Sequence, residues 1–171
     1  MVYIGEVFIE VAELIASFAK SRGKKVIFRP GQTIITFDQE KVKGILRNVD
    51  VLILNSRGWE LMKSDSNSTD GDFLKFGPEA VMVTKGAAGC ETYTKDGKFV
   101  TPAFAVEAVD STGAGDAFSA GLISAILERK SLMDAVRYAL AVSAIKVMKK
   151  GPRGGPPTRF EVEEFIKSKT V

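Results

Sequence analysis

The chain has 171 residues with 24 Lys and Arg against 21 Asp and Glu, a net charge of +3, and 45% hydrophobic content, enough apolar material for one core burying roughly 68–70% of the unfolded surface. It contains no histidine and a single cysteine, Cys90, which excludes Ser/His/Asp and Cys/His catalysis, His-ligated metals, intrachain disulfides and cysteine clusters for zinc or iron–sulfur. Apolar runs are too short to span a bilayer, and Met1-Val2-Tyr3-Ile4-Gly5-Glu6 lacks a signal-peptide profile, so a soluble chain in a reducing, cytoplasmic setting is expected, with no membrane partner.

Val7, Phe8, Val11, Leu14, Ile15 and Phe18 recur at helical spacing among Glu6, Glu10 and Glu13, predicting an amphipathic helix over 6–21 that stops at Gly23. Lys25-Val26-Ile27-Phe28 reads as a buried strand ended by Arg29-Pro30-Gly31. Asp38 is placed to cap a helix burying Val42, Ile45 and Leu46, and Val51-Leu52-Ile53-Leu54 makes a second strand closed by Asn55-Ser56. Residues 65–72 are polar throughout and read as a mobile loop. A third strand, Ala80-Val81-Met82-Val83-Thr84, leads into Lys85-Gly86-Ala87-Ala88-Gly89, and Asp96-Gly97 between two strand-like runs predicts a hairpin with a type I′ turn.

From Gly113 the pattern turns helical. One stripe is Ala117, Phe118, Gly121, Leu122, Ala125 and Ile126; another is Leu132, Ala135, Val136, Ala139, Leu140 and Val147. Gly- and Pro-rich residues 151–157 separate these from a last helix that begins at Thr158 or Arg159 and carries Phe160, Val162, Phe165 and Ile166. Residues 145–171 hold seven Lys or Arg against three Glu, leaving seventeen basic and eighteen acidic residues before them. That local excess reads as a solvated helix face, and no nucleic-acid partner is expected. Strands alternating with helices define an α/β layered fold, a mainly parallel sheet with an antiparallel hairpin at one edge, in one domain over 1–171.

The chemistry concentrates in Asp110-Ser111-Thr112-Gly113-Ala114-Gly115-Asp116-Ala117-Phe118. Glycines at a helix start let a ligand approach the backbone, and the unpaired amides with the positive dipole end favour an anion. A carboxylate in the first turn, Asp116, is positioned to accept a proton from a hydroxyl while the amides of Gly113, Ala114 and Gly115 hold phosphate oxygens. No Gly-x-x-x-x-Gly-Lys-[Ser/Thr] loop occurs, and no Gly-x-Gly-x-x-Gly follows the first strand, which excludes a P-loop and disfavours a dinucleotide-binding Rossmann unit.

The nine-residue run resembles the second signature of the phosphofructokinase-B family, the ribokinase-like carbohydrate kinases, with Ser111 as its one deviation. The resemblance continues in register. Thr84, Gly86 and Gly89 match the family's Thr-x-Gly-x-x-Gly turn, which borders the ATP phosphates and ribose, and residues 139–151 are similar to the helix and loop flanking adenine and a monovalent cation, with Ser143 and Gly151 as candidates. Where the family has Asn-x-x-Glu, ordering magnesium, this chain has Asn55 followed by Gly58, with Glu60 two residues further on, and Arg29-Pro30 stands where many members have Asp-Pro.

The resemblance implies a partial three-layer ribokinase-like fold covering the C-terminal part of the family's chain, with the sugar-contacting residues and lid missing. It further implies an ATP-dependent kinase for a sugar, sugar acid or nucleoside hydroxyl, with Asp116 as base. The alternative is an inactive nucleotide-binding or structural half-kinase. Because the family's other half adds strands to the same sheet, residues 25–28 are expected to expose a strand edge. A homo-oligomer joined there, or a partner supplying that half, is the expected consequence; the competing outcome has residues 1–5 folding back as a strand.

Overall fold

The computed structural model describes residues 1–64, 72–154 and 157–169; the loop expected at 65–72 lies almost wholly outside them. The chain gathers into two compact units, Met1–Thr84 with Glu91–Phe99, and Lys85–Cys90 with Val100–Val171.

The first unit is built on a six-stranded sheet in sequential order: β1 (Val2–Ile4), β2 (Val26–Phe28), β3 (Val51–Asn55), β4 (Ala80–Thr84), β5 (Cys90–Thr94) and β6 (Gly97–Thr101). β1 to β4 are parallel, with Val2 opposite Val26, Ile27 opposite Val51 and Leu54 opposite Val83, and β5–β6 form the antiparallel hairpin. Parallel strands laid down in one direction, with right-handed crossovers, put all their connecting helices on one face. Those helices are α1 (Ile9–Ser21), α2 (Gln32–Phe37), α3 (Gln39–Ile45) and α4 (Ser56–Ser64). The core they enclose with the sheet contains Phe28, Leu52, Leu54, Val81 and Val83, closed by Trp59 stacked on Tyr93 at 5.1 Å. Ile27, Ile53 and Met82, pointing the other way, are equally buried, which is why β2, β3 and β4 read as unbroken apolar runs rather than alternating ones.

Three expectations change here. β2 is not an open edge, because β1 pairs along it: the Val2 amide donates to the Lys25 carbonyl at 2.8 Å and the Arg29 amide to the Ile4 carbonyl at 2.9 Å. The competing outcome, residues 1–5 as a strand, is the one observed, and the sheet ends on a three-residue edge. The hairpin turn consists of Lys95 and Asp96, and Gly97 (φ 129°) already belongs to β6. Arg129 is the sole described non-glycine with positive φ, so Asp96 is not in the conformation a type I′ turn requires. Third, α1 starts at Ile9 and packs through Ala12, Ala16 and Ala19, while Phe8, Val11, Leu14, Ile15 and Phe18 are exposed. The expected cap on α3 is present: Asp38 accepts the Lys41 amide at 3.1 Å.

The second unit is helical: α5 (Ala114–Leu127), α6 (Leu132–Val147) and α7 (Arg159–Ser168). α5 and α6 pack closely at Gly121, where an added Cβ would lie 2.9 Å from Ala139 Cα. Phe118, Leu122 and Ala125 from α5 and Ala135, Val136 and Ala139 from α6 are buried as their spacing predicts. α7 opens with a capping box in which Thr158 and Glu161 satisfy each other's backbone amides, and Phe165 meets Phe104 at 5.3 Å.

Candidate active site

α5 begins at Gly113, which has φ 83° and no side-chain cap. A left-handed residue is needed to turn the chain into the helix, and a Cβ there would also press on the Pro152 carbonyl at 3.2 Å, so glycine is required twice over. The Ala114 amide closes the turn onto the Ser111 carbonyl at 3.0 Å. Among the described residues the amides of Gly113 and Gly115 donate to no protein acceptor, which leaves them available to an anion at the positive end of a four-turn helix. Asp116 is exposed in the first turn.

The turn is held from behind by a residue to which sequence reasoning assigned no role. Asp110 accepts the Thr112 amide through Oδ1 at 2.9 Å and the Gly151 amide through Oδ2 at 2.8 Å. These bonds from Thr112 and Gly151, with the nearby Lys146 ammonium, hold its carboxyl down to about 2. The available signal was an Asx turn, an Asp bonding the backbone two residues on. The Val109 and Asp110 amides donate to the Val147 carbonyl at 2.8 and 3.0 Å, fastening the loop to the end of α6. Lys146, itself 4% exposed, reaches the Lys149 carbonyl at 3.5 Å.

Beside this turn lies a cavity of about 400 Å³ lined by Gly86, Ala87, Ser111, Ala114, Leu140 and Ser143, among others. The Ser143 hydroxyl donates to the Ala114 carbonyl at 3.0 Å, tying the cavity wall to the first turn of α5. The glycine turn after β4 and the glycine turn before α5 thus meet at one cavity, as their shared character predicts. Gly89 ends the first of these turns at φ 93°, and a Cβ on it would collide with the Thr101 carbonyl. Asn55 and Thr84 belong to the first unit. Thr84 Oγ1 donates to the Leu54 carbonyl at 3.3 Å. Asn55 Oδ1 accepts the Gly58 amide at 2.7 Å and lines a polar cavity of about 370 Å³ with Glu6, Arg29, Gln32 and Thr33.

Gly58 is tightly surrounded. A Cβ would stand 3.1 Å from Ile35 Cδ1 and 3.2 Å from Asn55 Oδ1, so a side chain here would require those two side-chain tips to give by a few tenths of an ångström. Among the described residues no three His, Cys, Asp or Glu side chains gather into a metal site, and no helix is long and apolar enough to cross a membrane.

A parallel sheet covered by helices, with an uncapped helix start beside a cavity, defines an α/β protein of ribokinase-like fold. The chain belongs to the pfkB family of carbohydrate kinases, whose model matches residues 4–159. It is 34% identical over 161 residues to a ribokinase of Haemophilus influenzae, covering 90% of this chain and 51% of that one. The crystal structure of the Methanocaldococcus jannaschii nucleoside kinase superposes with a TM-score of 0.89 at 30% identity, covering 97% of this chain and 55% of that one. A ribokinase II of E. coli in complex with ATP and Mg2+ superposes with a TM-score of 0.86 at 25% identity, covering 97% and 58%. The chain therefore spans about half the length of the relatives it matches.

Proposed function

We propose that residues 1–171 act as one functional domain, the nucleotide-binding and base-carrying part of an ATP-dependent kinase for a hydroxyl of a sugar, sugar acid or nucleoside. The observation that carries this reading is the open start of α5 beside the cavity of Gly86, Ala114 and Ser143. Phosphate oxygens lie over the Gly113 and Gly115 amides with the Ala114 turn beneath them, while Gly86 and Gly89 border the nucleotide from the other glycine turn. The acceptor hydroxyl loses its proton to Asp116 as its oxygen bonds to the γ-phosphorus, the bond to the bridging oxygen breaks, and ADP leaves. The family and the ribokinase and nucleoside-kinase relatives support the substrate class.

The residues present do not fit a magnesium ion held by this chain: position 58 has no side chain, Asn55 Oδ1 is engaged by the Gly58 amide, and no acidic cluster gathers among the described residues. Magnesium arrives as the counter-ion of the nucleotide. Within residues 139–151, which the resemblance likens to the helix and loop flanking a monovalent cation, the buried Lys146 ammonium lies beside Asp110, so dependence on added potassium is expected to be weak. The setting is cytoplasmic, and the missing substrate contacts come from a segment or partner beyond these residues.

Calorimetric titration of the 171-residue chain with ATP tests the site. Binding is expected, with no sugar phosphorylation by this chain alone, because positioning both reactants supplies much of the barrier reduction. Ser143→Phe, which fills the cavity, should abolish ATP binding; unchanged affinity would remove the cavity from the assignment. With the remainder of a family-length kinase supplied, Asp116→Ala should lower turnover by roughly 10² to 10⁴ while ATP affinity changes little. An equal loss of both would make Asp116 a structural residue of the turn.

A further inference from the structure

Among the described residues of the helical unit, Lys146 is the one charged side chain that is buried, at 4% exposed. It stands in the last turn of α6, following the buried Val142, Ala144 and Ile145. Taking an ammonium out of water without a counter-ion destabilises a fold, and an apolar side chain would continue this face of α6 without that penalty. The three N–H donors of Lys146 find one acceptor, the Lys149 carbonyl, at 3.5 Å, which is long for a hydrogen bond. Among the described residues no carboxylate forms an ion pair with it. Asp110 is close enough to feel its charge, yet both Asp110 oxygens are taken by amides, those of Thr112 and Gly151.

The surroundings explain the charge. Lys146 Cε lies 3.6 Å from the point where a Cβ on Gly113 would stand, and the Pro152 carbonyl oxygen lies 3.2 Å from the same point. The ammonium therefore sits between the glycine turn that opens α5 and the 149–152 turn, whose Gly151 is bound to Asp110. Asp110 fastens these two turns as an anion, since its carboxyl, held at about 2, is ionised at neutral pH. That places a full negative charge beside the Gly113 and Gly115 amides, where the α5 dipole contributes only about half a positive one. Left alone, the carboxylate would repel a phosphate approaching those amides. Lys150 and Arg153, in and next to the same turn, are exposed, so water and salt screen them, whereas a buried ammonium is screened much less.

We infer that Lys146 is a positioning residue of the nucleotide site: its buried ammonium cancels the Asp110 carboxylate, so that the turn which Asp110 holds in shape can accept the phosphates of a nucleoside triphosphate. Asp110 sets the shape of the turn, and Lys146 sets its charge. The inference rests on the nucleotide reading of the α5 start and adds a requirement to it, that two charges touching no ligand stay balanced.

Calorimetric titration of the full 171-residue chain with ATP, tripolyphosphate and adenosine tests it. Lys146→Met, of similar length without the charge, should lower ATP and tripolyphosphate affinity by roughly 10- to 100-fold and leave adenosine affinity within about twofold of wild type. Lys146→Gln, which keeps an N–H donor, should lose as much, because the charge and not the hydrogen bond is at work. Combining Lys146→Met with Asp110→Asn removes both charges and should bring ATP affinity most of the way back. Circular dichroism and thermal melts check that each variant is folded. Unchanged ATP binding in Lys146→Met, an equal loss of adenosine affinity, a Lys146→Gln chain that binds like wild type, or a double variant no tighter than Lys146→Met would each overturn the inference while wild type still binds ATP. A wild-type chain that binds neither ATP nor tripolyphosphate would overturn the nucleotide reading itself, and this inference with it.

Discussion

Helices α1 and α5 carry the same kind of sequence pattern and place it in opposite directions. Each has a phenylalanine within an apolar stripe at helical spacing, yet Phe118 is 1% exposed and Phe18 is 58% exposed. In α5 the stripe of Phe118, Gly121, Leu122 and Ala125 is the buried one. In α1 the buried side is Ala12, Ala16 and Ala19, packed against β1, β2 and α3. Periodicity says which side chains share a face, and only the neighbours decide which face turns inward. Small residues on the inward side let α1 lie close to the sheet and α3, as Gly121 lets α5 approach α6.

The largest test of this contrast is truncation of the two phenylalanines. Phe118→Ala is expected to cost about 3–5 kcal/mol, the usual result of removing a buried ring, whereas Phe18→Ala should change monomer stability by less than about 0.5 kcal/mol. Urea denaturation at a protein concentration low enough to hold the monomer measures both. Similar losses would show that the α1 stripe is buried in solution.

Enlarging the inward faces comes next. Gly121→Val drives a side chain into Ala139, and Ala16→Leu fills a position with no exposed surface; each is expected to cost about 1–3 kcal/mol through overpacking. Leu14→Ala, on the outward side of α1 two residues before Ala16, should fall within about 0.5 kcal/mol of wild type under the same monomeric conditions. An Ala16→Leu chain as stable as wild type would mean that α1 can lift from the sheet.

What could be read beforehand follows the same division. β3 and β4 were legible because strands buried on both faces leave continuous apolar runs, and the start of α5 because the whole nine-residue run Asp110–Phe118, rather than its glycines alone, resembles a family signature. The cap at Asp38 was legible for its chemistry. β1 was weighed only as the competing outcome for residues 1–5, since three residues are too few to show a period. α2 and α4 were missed for related reasons: Gln32–Phe37 is six residues rich in β-branched side chains, and α4 carries Gly58 in its first turn. At the candidate site the glycines of the two turns were identifiable, while Asp110 was not assigned, because its role depends on Gly151, forty-one residues away in the chain.

The smallest expected effect separates the two helix starts. α1 begins at Ile9 after Phe8, which provides no side-chain cap. α5 is held by Asp110, whose carboxyl sits at about 2 instead of the ordinary 3.8 because the Thr112 and Gly151 amides donate to its charged form. A depressed folded value means that the contribution is complete above the unfolded value near 3.8 and disappears as pH falls through about 2. Between those limits the α5 turn should stay fastened to the 149–151 turn while ordinary surface carboxylates protonate. The Gly151 and Thr112 amide resonances, followed by NMR on acidification, should therefore titrate together with a midpoint near 2. Asp110→Asn, which keeps one acceptor oxygen, should remove this transition and leave the fold intact. A Gly151 midpoint at the ordinary carboxylate value, or an unchanged transition in the variant, would show that Asp110 does not fasten the two turns.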